Sequence, residues 1–172
     1  MRRSTRTFLW TAVIVIALVT LIQWIGTMTR QETAADPMRM LYEVSQLQVE
    51  LLSSFVGEAA ESETTADLNA LKQAAYSADY THRRLVLAGG KDWPELASLS
   101  GLMDVIVRLQ IGGDRRLSEE EKQLFETIAP HFNELQAAYA TLMPNGSVNR
   151  ANAARVKAAD QAVSKAMEAS GR

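Results

Sequence analysis

The chain has 172 residues, 47% hydrophobic and 22% charged, with a formal net charge of −2 and no cysteine. The missing cysteine excludes a disulfide framework, a thiol nucleophile, a thiolate metal site and lipidation through Cys. Residues 1–30 hold four arginines and no acid, so the remaining 14 bases stand against 20 acids, a net −6. That balance argues against nucleic acid as a partner, because neutralising phosphates requires a basic face.

The apolar residues are concentrated at one end. No Lys, Arg, Asp or Glu lies between Arg6 and Arg30, and as a helix the uncharged run 8–28 would extend about 30 Å, the thickness of a bilayer's hydrocarbon core. Within 8–22 the polar side chains are Thr11 and Thr20, whose hydroxyls can return to the backbone of their own helix. Trp10 and Trp24 stand near opposite ends, where indoles favour the two membrane interfaces. Arg2, Arg3 and Arg6 precede the run, so the positive-inside bias places the N-terminus in the cytoplasm and the rest outside. A cleaved signal peptide shares the basic start but needs a shorter apolar region followed directly by a small-residue site, and Thr33-Ala34-Ala35 is too far downstream. The expected organisation is a basic cytoplasmic stub (1–7), a single-pass signal anchor (8–28), a linker (29–36) and an extracytoplasmic domain (37–172), in a bacterial envelope.

From residue 37 onward the apolar period is helical. Asp36-Pro37 pairs a capping acceptor with proline at the first helical position, predicting a helix over 37–60 that buries Leu41, Val44, Leu47, Leu51, Leu52 and Phe55. A second, over 66–88, has its seam at Leu68, Leu71, Ala75, Ala78, His82 and Leu85, and ends at Gly89-Gly90. A third is expected from Asp92-Trp93-Pro94 over 93–111. Ser118 and Glu121 form a capping box that opens a fourth over 119–143, with Leu124, Ile128, Phe132, Leu135, Tyr139 and Leu142 inside and a kink at Pro130. Pro144-Asn145-Gly146-Ser147 reads as a turn and cap before a last helix over 148–169, whose stripe is Val156, Ala159, Val163 and Met167. Short connections favour antiparallel neighbours, so the fold class is all-α: one transmembrane helix followed by an up-and-down bundle of four to five helices.

Two patterns bear on packing. Six acids and no base lie between Met40 and Leu71, whereas Arg150 to Arg172 holds five bases, so either the last helix lies along the first or both charged faces are simply solvated, exposed pairs being worth about 0–1 kcal/mol each. Residues 102–111 are apolar almost all round. Such a helix is either central or uses its outer face for a partner, with Leu102, Val105, Ile106 and Leu109 as the contact candidates. Asp104 and Arg108 are spaced to pair.

Site chemistry is sparse. There are two histidines, no Gly-x-Ser-x-Gly, no phosphate-binding glycine loop and no His-Glu-x-x-His, so the usual anchors of several enzyme classes are missing. Asp79 with His82, and His131 with Glu134, are carboxylate–histidine pairs three apart, a spacing that resembles di-iron bundles. The match departs from that pattern: one pair is reversed, one uses Asp, and His131 follows a proline. No metal or cofactor is therefore expected, and these four residues are the ones that would serve. Tyr76, Tyr80, His82, Arg83 and Arg84 form a candidate ligand patch, though arginines near a helix C-terminus are also favoured by the dipole.

The expected function is non-enzymatic: an envelope scaffold, adaptor or accessory subunit whose partners are the bilayer and another envelope protein or a second copy. The alternative is a small-ligand sensor. Only seven residues precede the apolar run, so a sensor would signal through a partner membrane protein.

Overall fold

The structure is a computed structural model that describes residues 36–170; the run 8–28, with Trp10 and Trp24, lies outside the described residues. Among the described residues no helix is long and apolar enough to cross a membrane.

The domain is all-α. Its helices are α1 (Pro37–Ala59), α2 (Asn69–Gly89), α3 (Ala97–Gln110), α4 (Glu119–Tyr139) and α5 (Arg150–Ser170), with a 3-10 turn at Gly90–Asp92. Helix α1 packs on α2 and α4, α2 on α3, and α5 on both α4 and α3, closing a ring in the order α1, α2, α3, α5, α4. One pair of ring neighbours is parallel. Asp160 of α5 meets Ser98 of α3, and further along both helices Met167 meets Gly101.

The predicted core of α2 and α4 is found as expected, with Leu68, Leu71, Ala75, Ala78, Leu85, Leu124, Ile128, Phe132, Leu135, Tyr139 and Leu142 all buried. Helix α4 continues through Pro130, although a proline donates no backbone bond there. Its capping box is formed, Ser118 Oγ accepting from the Glu121 amide and Glu121 from the Ser118 amide. Arg115 grips the same carboxylate at 2.6 Å and holds the Glu121 carboxyl at about 2, well below the usual range.

The face that α1 buries matches the expected one only in part: Leu52 is buried and Leu41 and Phe55 are half-buried against the core. Val44, Leu47 and Leu51 are exposed, along with Met40, and the core takes Tyr42, Ser45, Val49, Leu52, Ser53, Val56 and Ala59. Both stripes have helical spacing. The one with more hydroxyls goes inside because those hydroxyls find partners: Ser53 donates to Asn133 at 2.7 Å, Ser45 bonds Tyr139, and Tyr42 donates to the Tyr139 carbonyl. Once satisfied, such groups no longer penalise burial. Ser45 and Ala59 are also small, as are Ala74, Ala75 and Ala78 on α2, which lets the backbones approach closely.

The start of α3 is also later than expected. Asp92, Trp93 and Pro94 belong to the connection, and the helix begins at Ala97 with a carboxylate from another helix as its cap. Asp160 accepts from the Ala97 amide at 3.2 Å and from the Ser98 amide at 2.9 Å. Two of the four amides left free at any helix start are thereby satisfied, and a negative charge is set at the positive end of the dipole. This contact helps draw α5 to α3. Helix α5 accordingly runs beside α3 and α4 rather than along α1, and the long-range charge asymmetry does not decide its position. Its N-cap is Asn149, which accepts from the Ala151 and Asn152 amides, two residues beyond the predicted Ser147. Arg108 bonds the Asp104 carbonyl oxygen at 3.3 Å instead of its carboxylate.

At one end the 60–68 and 111–118 connections are stitched together by a single antiparallel bridge, Thr64 with Arg116. The Thr65 amide donates to the Arg115 carbonyl at 2.8 Å and the Leu117 amide to the Glu63 carbonyl at 2.9 Å. At the other end Gly90 terminates α2 with a φ of +74°, and the Trp93 indole folds back so tightly that a Cβ on Gly89 would lie 1.8 Å from its Nε1.

Candidate functional site

Two features stand out beyond helix packing: a buried polar cluster at the Trp93 end of the bundle, and the outer face of α1. The cluster is built from three helices and the 90–96 connection. Ser45 on α1 lies 2.7 Å from the Tyr139 hydroxyl, Tyr139 on α4 lies 2.9 Å from His82 Nδ1, and His82 Nε2 on α2 lies 2.9 Å from the Pro94 carbonyl oxygen. That carbonyl only accepts, so Nε2 carries the proton and Nδ1 is the acceptor. The chain of donors then has one direction: Ser45 donates to Tyr139, Tyr139 to His82, and His82 to Pro94. Tyr42 stacks on Tyr139 with centroids 5.8 Å apart and tilts against Trp93 at 6.0 Å.

Burial sets the protonation states. His82 is held below its ordinary value chiefly by desolvation, opposed by the Pro94 carbonyl and by the charges of Asp160, Asp79 and Glu95. Desolvation likewise pushes both Tyr139 and Tyr42 up. His82 and both tyrosines are therefore neutral near pH 7. Although a serine and a histidine occur together, a tyrosine separates them, and the second imidazole nitrogen meets a carbonyl instead of an orienting carboxylate. Ser45 and Tyr139 are fully buried. The arrangement pins α1, α2, α4 and the 90–96 connection together through directional bonds. Sequence reading placed His82 and Tyr139 in their seams but missed the link between them, which depends on residues 57 apart meeting.

The proposed ligand patch is divided by the fold. His82 points inward. Tyr76 and Tyr80 are exposed and stack at 6.2 Å, with Arg84 over the Tyr80 ring at 4.9 Å, while Arg83 pairs with Asp79 at 2.9 Å. The metal candidates are divided too. Asp79 is engaged by Arg83, both nitrogens of His82 are bonded, and His131 sits 3.7 Å from Glu134 on its own helix. Among the described residues no group of three or more potential ligands is positioned to hold a metal ion.

Of the contact candidates on α3, Leu102 and Ile106 are fully buried and Val105 and Leu109 are partly buried against the same core. The all-round apolar character of this helix is thus used mainly for packing between α2 and α5. The larger exposed apolar row is on α1: Met40, Val44, Leu47 and Leu51 are 42–54% exposed, on the side of the helix opposite Tyr42, Val49 and Val56. The core is complete without them. No protein-family model matches this chain, and neither a curated protein nor a solved structure shows significant similarity to it.

Proposed function

We propose that the chain is a single-pass membrane protein, anchored by 8–28 with its N-terminus in the cytoplasm, whose extracytoplasmic five-helix bundle acts by protein–protein contact as a scaffold, adaptor or accessory subunit of an envelope complex. The observation that carries this reading is the outer face of α1. Four large apolar side chains in helical register are left in solvent by a fold that buries two serines beneath them, and a contiguous exposed apolar row of this kind marks an interaction surface. The uncharged run 8–28 and the arginines before it support the anchor.

The test has two parts. Carbonate-washed membranes should retain the full-length chain, with the bundle open to protease from the outer side only. Pull-down from solubilised membranes of cells carrying two differently tagged copies should recover either the second copy or another envelope protein in stoichiometric amount. A chain released by carbonate refutes the anchor. A chain that recovers no protein, but whose melting temperature rises with a metabolite, refutes the contact reading in favour of the sensor.

A further inference from the structure

We infer that the outer face of α1 is a parallel homodimer interface, the second copy of this chain being the partner that covers it. Met40, Val44, Leu47 and Leu51 are spaced four, three and four apart, which is the alternation of d and a positions in a coiled-coil seam. With Met40 and Leu47 at d and Val44 and Leu51 at a, the seam lies diametrically opposite the bundle core, so α2 and α4 do not obstruct it. A β-branched residue at a followed by leucine at d, here Val44 and Leu47, favours two strands.

The flanking residues choose the direction. The g positions are Glu43 and Glu50, and the e positions are Leu41, Gln48 and Phe55. In a parallel pair g faces e of the partner, setting Glu43 beside Gln48 and Glu50 beside Phe55. In an antiparallel pair g faces g, bringing Glu50 against Glu43, a repulsion that the Arg39 partner of Glu43 at 2.9 Å lessens without reversing. The same glutamates argue against the bilayer surface as occupant, since amphipathic helices that lie on membranes carry an excess of bases beside the apolar face, whereas the one base of α1, Arg39, is paired with Glu43. The proposed anchor at 8–28 adds a separate constraint that rests on the reading above. Two copies in one membrane begin α1 from the same side, eight residues after the run, and a tether of that kind raises the effective concentration of a short seam that extends about 17 Å.

The absence of cysteine makes the test clean. Single cysteines are placed in the full-length chain at Met40, Val44, Leu47 and Leu51, with Glu126→Cys on α4 as control, and membranes are oxidised. A parallel seam puts each residue opposite itself, so all four positions should give disulfide dimers and the control none. Disulfides that form between a Val44→Cys copy and a Leu47→Cys copy, with neither position pairing with itself, indicate an antiparallel pair and overturn the proposal; so does a bifunctional reagent at Leu47→Cys that captures only a different protein. In the Leu47→Cys chain, the added pair Val44→Glu and Met40→Glu should cut the cross-linked fraction roughly tenfold or more, because charges would be buried unpaired, and should leave the melting temperature of the detergent-dispersed monomer unchanged. Carbonate extraction of the same membranes separates the two readings. A retained chain that gives no dimer refutes this interface and leaves the anchor standing; a released chain that cross-links at all four positions refutes the anchor and supports the interface.

Discussion

Replacing Tyr139 by Phe removes one oxygen from the centre of the bundle and almost no volume. In the native domain that oxygen receives a hydrogen bond from Ser45 and donates one to His82. Ser45 can turn its hydroxyl to a carbonyl one turn back in its own helix, so its share of the loss is small. His82 Nδ1 has no such recourse, since the ring is 2% exposed and Nε2 is committed to Pro94. An orphaned buried acceptor costs about 1–3 kcal/mol, and with the lost Ser45 bond the substitution should destabilise by about 2–3 kcal/mol. For a domain of this size the melting temperature should fall by about 10 °C, read by circular dichroism at pH 7.5. His82→Leu should also destabilise, but in the double variant no imidazole is left unpaired, so the combined loss should be smaller than the sum by about 1 kcal/mol or more. Strictly additive losses, or a Tyr139→Phe effect below about 0.5 kcal/mol, would show that the donor chain is not coupled as described.

The same histidine predicts a pH dependence. Its folded value lies below 6.5 because of burial, so as pH falls through about 6.5 the unfolded chain takes up the proton first and stability declines, by at most about 1.4 kcal/mol per pH unit; denaturation curves from pH 7.5 to 5 should show this slope, and His82→Leu should flatten it. The depressed Glu121 carboxyl acts in a separate window: its contribution is present above about 4.5 and is lost as pH falls towards 2, and it is small because the Arg115 pair is partly exposed and screened by solvent. Asp160→Ala should cost about 1–3 kcal/mol by leaving the buried Ser98 amide and the partly buried Ala97 amide at the start of α3 without an acceptor, whereas Asp160→Asn keeps one acceptor oxygen and should lose less, as measured by urea midpoints. Gly89→Ala should cost more than about 2 kcal/mol, since the Trp93 indole must move from its site, with a changed tryptophan emission maximum as the signature. Truncation before residue 148 removes Val156, Val163 and Met167 from the core and should lower the melting temperature; an unchanged value would refute the docking of α5.

Much of this fold is written in local signals. Ser118 and Glu121 specify a helix start by themselves because both halves of a capping box lie within four residues, and Gly90 marks a helix end because its positive φ suits glycine. The seams of α2 and α4 could be read for a similar reason: each helix has one dominant apolar stripe and little choice of face. The uncharged run 8–28 and the arginines before it are equally plain in the sequence, and they carry the membrane reading.

Helix α1 shows where local reading ends. It has two stripes of helical period, and its apolar pattern points to Leu41, Val44, Leu47, Leu51, Leu52 and Phe55 for the core, of which Leu52 is buried, Leu41 and Phe55 are half-buried against it, and the other three are exposed. The fold buries Tyr42, Ser45 and Ser53 instead, because partners 80 to 97 residues away satisfy their hydroxyls. No local pattern encodes that compensation. Helix α5 is a parallel case: its basic residues suggested α1, while one carboxylate, Asp160, together with a narrow stripe that includes Val156 and Val163, binds it to α3 and α4. The sequence alone therefore determined the helical class, most helix ends and the polarity of each segment, since these depend on neighbours within a turn or two. Tertiary structure decided which stripe of α1 faces inward, what caps α3, and hence which apolar row is left for a partner, because the free energy of burying a polar group depends on whether a distant residue arrives to pair with it.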